Sequence, residues 1–190
     1  MEWKNAIKDY QNYLKIERGL SQNTIDSYTR DLEKLTLFLK QNELNISPLL
    51  IGKTIVQRFI YEIATHVNPR SQARIISGLR SFFDYLIFED YRETNPTDLI
   101  ETPKIGRKLP DTLSENEIDS LINAIDLSHS QGERNRTIIE TMYSCGLRVS
   151  ELITLRISDL FFTEGFIKVT GKGNKERFVP IHYKAQKFIS

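Results

Sequence analysis

The chain has 190 residues, 39% of them hydrophobic, with nine glycines and six prolines, an ordinary balance for a soluble protein of one large domain or, the better fit, two small ones. Its apolar runs are too short to span a bilayer and its N-terminus lacks the basic-then-apolar pattern of a secretory signal, so a cytoplasmic protein with no membrane partner is expected. One cysteine, Cys145, excludes an internal disulfide or a CxxC pair, three scattered histidines give no metal-ligand spacing, and a net charge of +1 gives no bulk reason to expect a polyanionic partner.

Taken in order, Trp3, Ala6, Ile7, Tyr10 and Leu14 recur at helical spacing, and Gly19 closes the pattern. Ser21 to Thr24 offers capping side chains to a second helix, whose stripe of Ile25, Tyr28, Leu32, Leu35 and Leu39 leaves Arg30 and Lys34 on the other side. A loop around Pro48 leads to a third helix marked by Ile55, Phe59, Ile60 and Ile63. The fourth begins at Pro69 and runs through Ile76, Leu79, Phe83 and Leu86, which sets Arg70, Arg74, Ser77 and Ser81 together on its opposite face. Arginines separated by small hydroxyl residues suit close approach to a phosphate backbone and to base edges, although an exposed polar face is also what most amphipathic helices carry. Arg80 lies nearer the apolar edge, where packing and binding are both open to it.

Three prolines, Pro96, Pro103 and Pro110, punctuate residues 92–112, which read as an extended linker between a helical domain at 1–91 and a second domain at 113–190. Ser114 and Glu117 form a capping box that opens a short helix, and Glu133 to Cys145 reads as another, ended by Gly146. Beyond Leu155 the period becomes that of strands. Phe161-Phe162, Phe166 to Thr170 and Arg177 to Ile181, separated by Gly165 and by GKGNKE, predict a three-stranded antiparallel sheet with Lys172 in or beside the second turn. A last helix is expected from His182.

The stretch GLRVSEL, residues 146–152, sets Arg148 and Glu151 on one face of a helical turn, close in sequence to the basic group Lys168, Lys172, Lys175 and Arg177. A P-loop is excluded because GKGNK lacks the GxxxxGK[ST] spacing, and Ser144 does not sit in GxSxG. Cys145 falls in the last turn of a helix, where the dipole raises a thiol's pKa, so it reads as a packed side chain. An arginine and a lysine without metal ligands fit phosphoryl transfer by charge stabilisation: Arg148 can hold two non-bridging oxygens of a phosphodiester, Lys172 can protonate a departing oxygen, and Glu151 can orient Arg148. The same residues, on chemistry alone, also fit a helix-terminal ion pair and a solvated hairpin tip.

SQNTIDSYTRDL, SQARIISGLRSFFDYL, NPTD, LSENEI, YSCGLRVSELITLRISDL and VTGKGNKERFVPI, in that order, resemble tyrosine recombinases of the Xer/integrase family over essentially the whole chain. The resemblance implies a mainly α fold: a core-binding, SAM-like domain of four to five helices, followed by the first part of an α+β catalytic domain with the small three-stranded sheet. It implies that Arg148 is the first catalytic arginine, Glu151 the acidic residue after it and Lys172 the general acid for the 5′-hydroxyl. It also implies a later tyrosine that forms a 3′-phosphotyrosyl bond, so that neither cofactor nor metal is needed. The implied partners are double-stranded DNA at a recombination site and a homo- or hetero-tetramer of recombinases. The expected DNA contacts are Arg30, Arg70, Arg74, Arg80 and Lys175. DNA recombination and integration, chromosome partition and cell division are the processes such proteins serve. His182 has Ala185 at +3 where the family's HxxR would need arginine, and Tyr183 is wrongly placed for the nucleophile, so the expectation is a fragment that binds DNA weakly and is inactive alone. A non-catalytic DNA-binding regulator and a helical protein-interaction module are the competing readings.

Overall fold

Four amphipathic segments fold as α1 (Trp3–Ile16), α2 (Gln22–Gln41), α3 (Lys53–Ala64) and α4 (Pro69–Phe88). The computed structural model describes residues 1–106, 109–171, 173–181 and 186, and it divides into two units, Met1–Lys108 and Leu109–Ser190. In the first unit the helical stripes meet in one core, with Tyr10, Leu14, Leu32, Leu35, Ile76, Leu79, Phe82, Phe83 and Leu86 at most 1% exposed. Burying side chains of this size stabilises by about 1.5–3 kcal/mol each, which outweighs the weak helix propensity of α4's serines, glycine and aromatics. Trp3 stacks on Phe82 at 5.9 Å and donates its indole N–H to the Ile46 carbonyl at 2.8 Å, so the start of α1 is fastened at both ends of one side chain.

The helix ends follow from local chemistry. Gly19 takes φ +57 after α1, and Pro69 occupies the first turn of α4, where Asn68 accepts the Ser71 N–H at 2.8 Å. In α3 the buried face is Val56, Phe59 and Ile60, a slight rotation from the stripe that the sequence marks, since Ile55 and Ile63 lie at its rim.

Residues 92–100, the first part of the stretch that reads as a linker, are fastened to this unit instead of running extended. Arg92 donates to the Pro48 and Ile51 carbonyls at 2.6 and 2.9 Å and lies 5.0 Å over the Phe83 ring. Asn95, itself buried, donates to Asp84 at 2.7 Å and accepts from both the backbone and the hydroxyl of Thr97, while Ile100 enters the core. The proline spacing gives no sign of this, because the fastening comes from polar side chains whose acceptors lie far away in sequence.

The second unit holds α5 (Glu115–Asn123), α6 (Gly132–Cys145), α7 (Val149–Ile153), a 3-10 turn at Ile157–Asp159, then β1 (Leu160–Phe161), β2 (Phe166–Thr170) and β3 (Glu176–Pro180). The sheet is an antiparallel meander in the order β1-β2-β3, with Leu160 opposite Ile167 and Val169 opposite Arg177. Ile167 and Val169 point inward with Cys145, Leu147 and Ile181, which is the period-2 alternation that the sequence predicts. β1 begins one residue earlier than the Phe161-Phe162 pair because Phe162 accepts the Gly165 N–H at 3.2 Å and so belongs to the turn. The helix expected from His182 lies outside the described residues, Gln186 excepted. No helix among the described residues is long and apolar enough to cross a membrane.

Candidate functional site

α6 must stop and turn before Arg148 can be presented, and Gly146 does this. It adopts φ +58, the left-handed region where a Cβ is penalised, and the N–H groups of Gly146 and Leu147 both return to the Met142 carbonyl. Leu147 is then buried, which fixes the exit direction, and Arg148 follows in extended geometry as the residue capping α7. Its N–H donates to Glu151 Oε2 at 2.9 Å, and its guanidinium Nη1 donates to Glu151 Oε1 at 2.8 Å. The two residues that share a face in the sequence are thus in contact.

A third residue completes the arrangement. Arg177 on β3 reaches the same carboxylate with two prongs, Nη1 to Oε1 at 2.7 Å and Nη2 to Oε2 at 2.9 Å. Glu151 is 3% exposed, so its charge is buried under four charge-assisted hydrogen bonds, and these hold its carboxyl well below the ordinary carboxylate range, Arg177 contributing most. Arg148 keeps 71% of its side-chain surface in solvent. Two guanidinium groups on one carboxylate leave a local charge of +1, and Arg148 is the more exposed of the two, Arg177 keeping 41% of its side-chain surface in solvent.

Gly171 explains how β3 comes so near α7. A Cβ there would stand 3.2 Å from Glu151 Oε1 and 3.3 Å from Arg177 Nη1, so a larger residue would press on the ion cluster. Gly171 also donates its N–H to the Lys175 carbonyl at 2.8 Å, closing the neck of the β2–β3 turn, with Gly173 and Asn174 at positive φ in its tip. Lys172, the expected general acid, lies outside the described residues. Lys175 is exposed, whereas Lys168 is engaged by Glu176 at 3.2 Å and Asp159 at 3.5 Å. Cys145 is buried and its thiol is pushed up by that burial.

The polar face of the first unit is built on a close crossing of α2 and α4. At Gly78 a Cβ would lie 3.3 Å from both Asp31 Oδ2 and the Tyr28 ring. Asp31 is fully buried, forms an ion pair with Arg74 and has Lys34 at 3.6 Å, yet burial still pushes its carboxyl above the ordinary value. Arg70 and Arg30 are exposed, Arg30 donating to the Asp26 carbonyl on its own helix. Arg80 is placed differently from the other three: it donates to the Ile100 carbonyl at 3.2 Å and the Thr97 carbonyl at 3.5 Å, so it ties residues 97–100 to α4. Ser81 accepts the Tyr10 hydroxyl at 2.8 Å and faces the packed side more than the sequence pattern implies. Among the described residues no group of three or more His, Cys, Asp or Glu side chains gathers as a metal site.

A helical unit followed by a helix-and-meander unit carrying Arg148 over a buried carboxylate has the plan of an integrase-type protein. The family model for the phage integrase N-terminal SAM-like domain matches residues 7–90, and that for the phage integrase family matches residues 111–190. The chain belongs to this family, and within it is Xer-like. It is 42% identical to tyrosine recombinase XerD of Staphylococcus haemolyticus over 178 residues, which is 94% of this chain and 60% of that protein. It is 41% identical to XerD of Oceanobacillus iheyensis over 191 residues, 97% of this chain and 64% of the relative. The chain therefore spans about 60% of the length of such relatives. Among solved structures, a lambda integrase tetramer bound to a Holliday junction matches 97% of this chain and 53% of its own, with TM-score 0.74 and 20% identity. XerH site-specific recombinase bound to palindromic difH substrate, a post-cleavage complex, matches 90% and 52%, with TM-score 0.67 and 21% identity. At these identities the two structures establish the fold.

Proposed function

We propose that this chain carries the DNA-gripping unit and the first catalytic residues of a site-specific tyrosine recombinase, an enzyme that cuts and rejoins duplex DNA through a 3′-phosphotyrosyl intermediate. The observation that carries this is the cluster at α7: an exposed guanidinium, Arg148, poised on a buried carboxylate already neutralised from its other side. The planar fork of Arg148 binds two non-bridging oxygens of the scissile phosphate and stabilises the charge that grows there during attack. Glu151 orients that fork. Lys172, which in sequence falls between β2 and β3, donates a proton to the 5′-oxygen as it leaves. The tyrosine that attacks is a residue the family resemblance implies, and neither His182 nor Tyr183 is assigned a role.

Double-stranded DNA is the proposed partner, gripped by Arg30, Arg70 and Arg74 on the α2/α4 face and by Lys175 at the hairpin, while Arg80 acts mainly within the fold. The proposal extends to assembly into a tetramer of like or paired recombinases, a cytoplasmic location and service in chromosome partition and cell division; what supports it is the similarity to proteins named XerD. In domain terms, residues 1–91 are the core-binding domain and 113–190 belong to the catalytic domain.

The test is selection of a bound site from random duplexes, followed by phosphate ethylation interference with the wild-type chain and Arg148→Ala. The expected result is one phosphate whose ethylation blocks the wild-type chain and no longer matters to the variant. Absence of any duplex bound at low salt, or an unchanged interference pattern in the variant, overturns the proposal.

A further inference from the structure

We propose that Arg177 is a positioning residue for the phosphate site: it neutralises Glu151 from the side of the sheet, so that Arg148 is held in place without its charge being consumed. This rests on the reading of Arg148 as the phosphate-binding arginine. The argument is one of charge and geometry. A carboxylate 3% exposed, facing Arg148 alone, would form a one-to-one pair whose net charge is zero. Such a pair draws the guanidinium inward and offers an incoming phosphodiester little attraction.

Arg177 changes both terms. Its bidentate grip occupies one lone-pair direction on each carboxylate oxygen, at 2.7 and 2.9 Å, which leaves Arg148 a single side-chain bond at 2.8 Å and most of its surface in water. The cluster then carries one uncompensated positive charge, and Arg148, with 71% of its side-chain surface in solvent against 41% for Arg177, is the partner more open to an incoming anion. Among the described residues the other groups bonded to or nearest the carboxylate add no charge: the Arg148 N–H completes the carboxylate's set, and Gly171 presents only backbone.

The placement of Arg177 adds a mechanical link. It stands on β3 two residues beyond Lys175, whose carbonyl closes the turn neck on Gly171, and opposite Val169 in the core of β2. The grip on Glu151 therefore fixes the root of the turn whose sequence contains Lys172 to the start of α7, which carries Arg148. One ion cluster sets the spacing between the two segments that the proposed chemistry needs together.

The experiment is a titration of the 190-residue chain with inorganic phosphate, read on the Arg148 Nε–H nuclear magnetic resonance signal, assigned by its loss in Arg148→Lys. Wild type should shift and saturate. Arg177→Gln should weaken phosphate binding about tenfold, the loss expected when a charged hydrogen-bonded partner is removed, whereas Arg177→Lys, which restores the charge without the fork, should stay within about threefold of wild type. If Arg177→Gln does not fold, Arg177→Lys decides alone, since a tenfold loss there means that charge neutralisation is not what Arg177 supplies. Wild-type-like binding by a folded Arg177→Gln overturns the inference and leaves the functional reading standing. A wild-type Arg148 signal that ignores phosphate overturns the functional reading itself.

Discussion

Glu151 and Asp31 are both buried carboxylates held by arginine, and they titrate in opposite directions. Glu151 gains more from its four hydrogen bonds than it loses by burial, so its folded pKa lies below the ordinary 4.5. Its contribution to stability is present above that value and lost progressively as pH falls below it, because the unfolded chain then binds the proton first. Asp31 has the reverse balance: desolvation outweighs Arg74 and Lys34, and its folded pKa lies above 3.8. The favourable state of Asp31 is the protonated one, so its contribution is fully present below 3.8 and is lost as pH rises through the raised value. Acidification from neutral pH should therefore weaken the second unit while easing the first. Trp3, the only tryptophan, packs on Phe82 in the first unit, so its fluorescence in urea follows that unit, and backbone amide signals of β2 and β3 follow the other. Asp31→Asn should flatten the acid slope of the Trp3 transition at little cost at pH 7, and Glu151→Gln should reduce the acid sensitivity of the sheet signals, leaving the part that Glu117 and Asp126, also held below their ordinary values by hydrogen bonds, contribute to the same unit. Parallel loss of both units in acid, unchanged by either substitution, would contradict these assignments.

At the scale of elements, the helices and the sheet were largely legible because each is specified locally: apolar positions at i, i+3, i+4 and i+7, glycine at helix ends, Ser114 with Glu117, and glycine-rich turns between alternating strands. The Ser114 box is present in full, with its hydroxyl accepting from the Glu117 N–H and the Glu117 carboxylate accepting from the Ser114 N–H at 2.8 Å. Ser114→Ala should cost about 1 kcal/mol of the second unit's stability in urea unfolding. What a single sequence hides is pairing between distant segments. Arg177 reaches Glu151 across 26 residues, Arg74 reaches Asp31 across 43, and Arg80 finds its carbonyl acceptors in a stretch that reads as a linker. No periodicity marks those distances, so Arg177 stands in the sequence only as one more basic residue of a hairpin. Gly78 belongs to the same class. In an exposed helix Gly→Ala would stabilise, but here the added Cβ meets Asp31, which is fully buried and held by Arg74 and cannot move aside. Gly78→Ala should therefore destabilise the first unit by about 1 kcal/mol, the low end for overpacking, and a gain in its urea midpoint would show that α2 can yield.

For the molecule as a whole, a net charge of +1 means that the proposed attraction to DNA would come from charged faces and not from bulk charge. The arginines fall into two groups on that basis. Arg70 and Arg30 are exposed, Arg30 bonding to Asp26 and Ser27 of its own helix, whereas Arg80 is committed to the carbonyls of residues 97 and 100. Each phosphate contact made by the first group releases condensed counterion, so the dependence of log affinity on log salt should be negative and should shrink by about 1 for each of Arg70→Ala and Arg30→Ala. Arg80→Ala should leave that slope unchanged and instead lower the Trp3 unfolding midpoint, because two carbonyls beside a buried threonine and a core isoleucine lose their donor. Arg74 is the intermediate case: its side chain is 43% exposed while paired with Asp31, so Arg74→Ala should reduce the slope and also leave Asp31 buried beside Lys34 alone. Fluorescence anisotropy with labelled duplex across a salt series, run beside urea unfolding of the same four variants, separates these outcomes. Slopes equal to wild type in Arg70→Ala and Arg30→Ala would remove the α2/α4 face from the DNA interface, and a reduced slope in Arg80→Ala would add that residue to it.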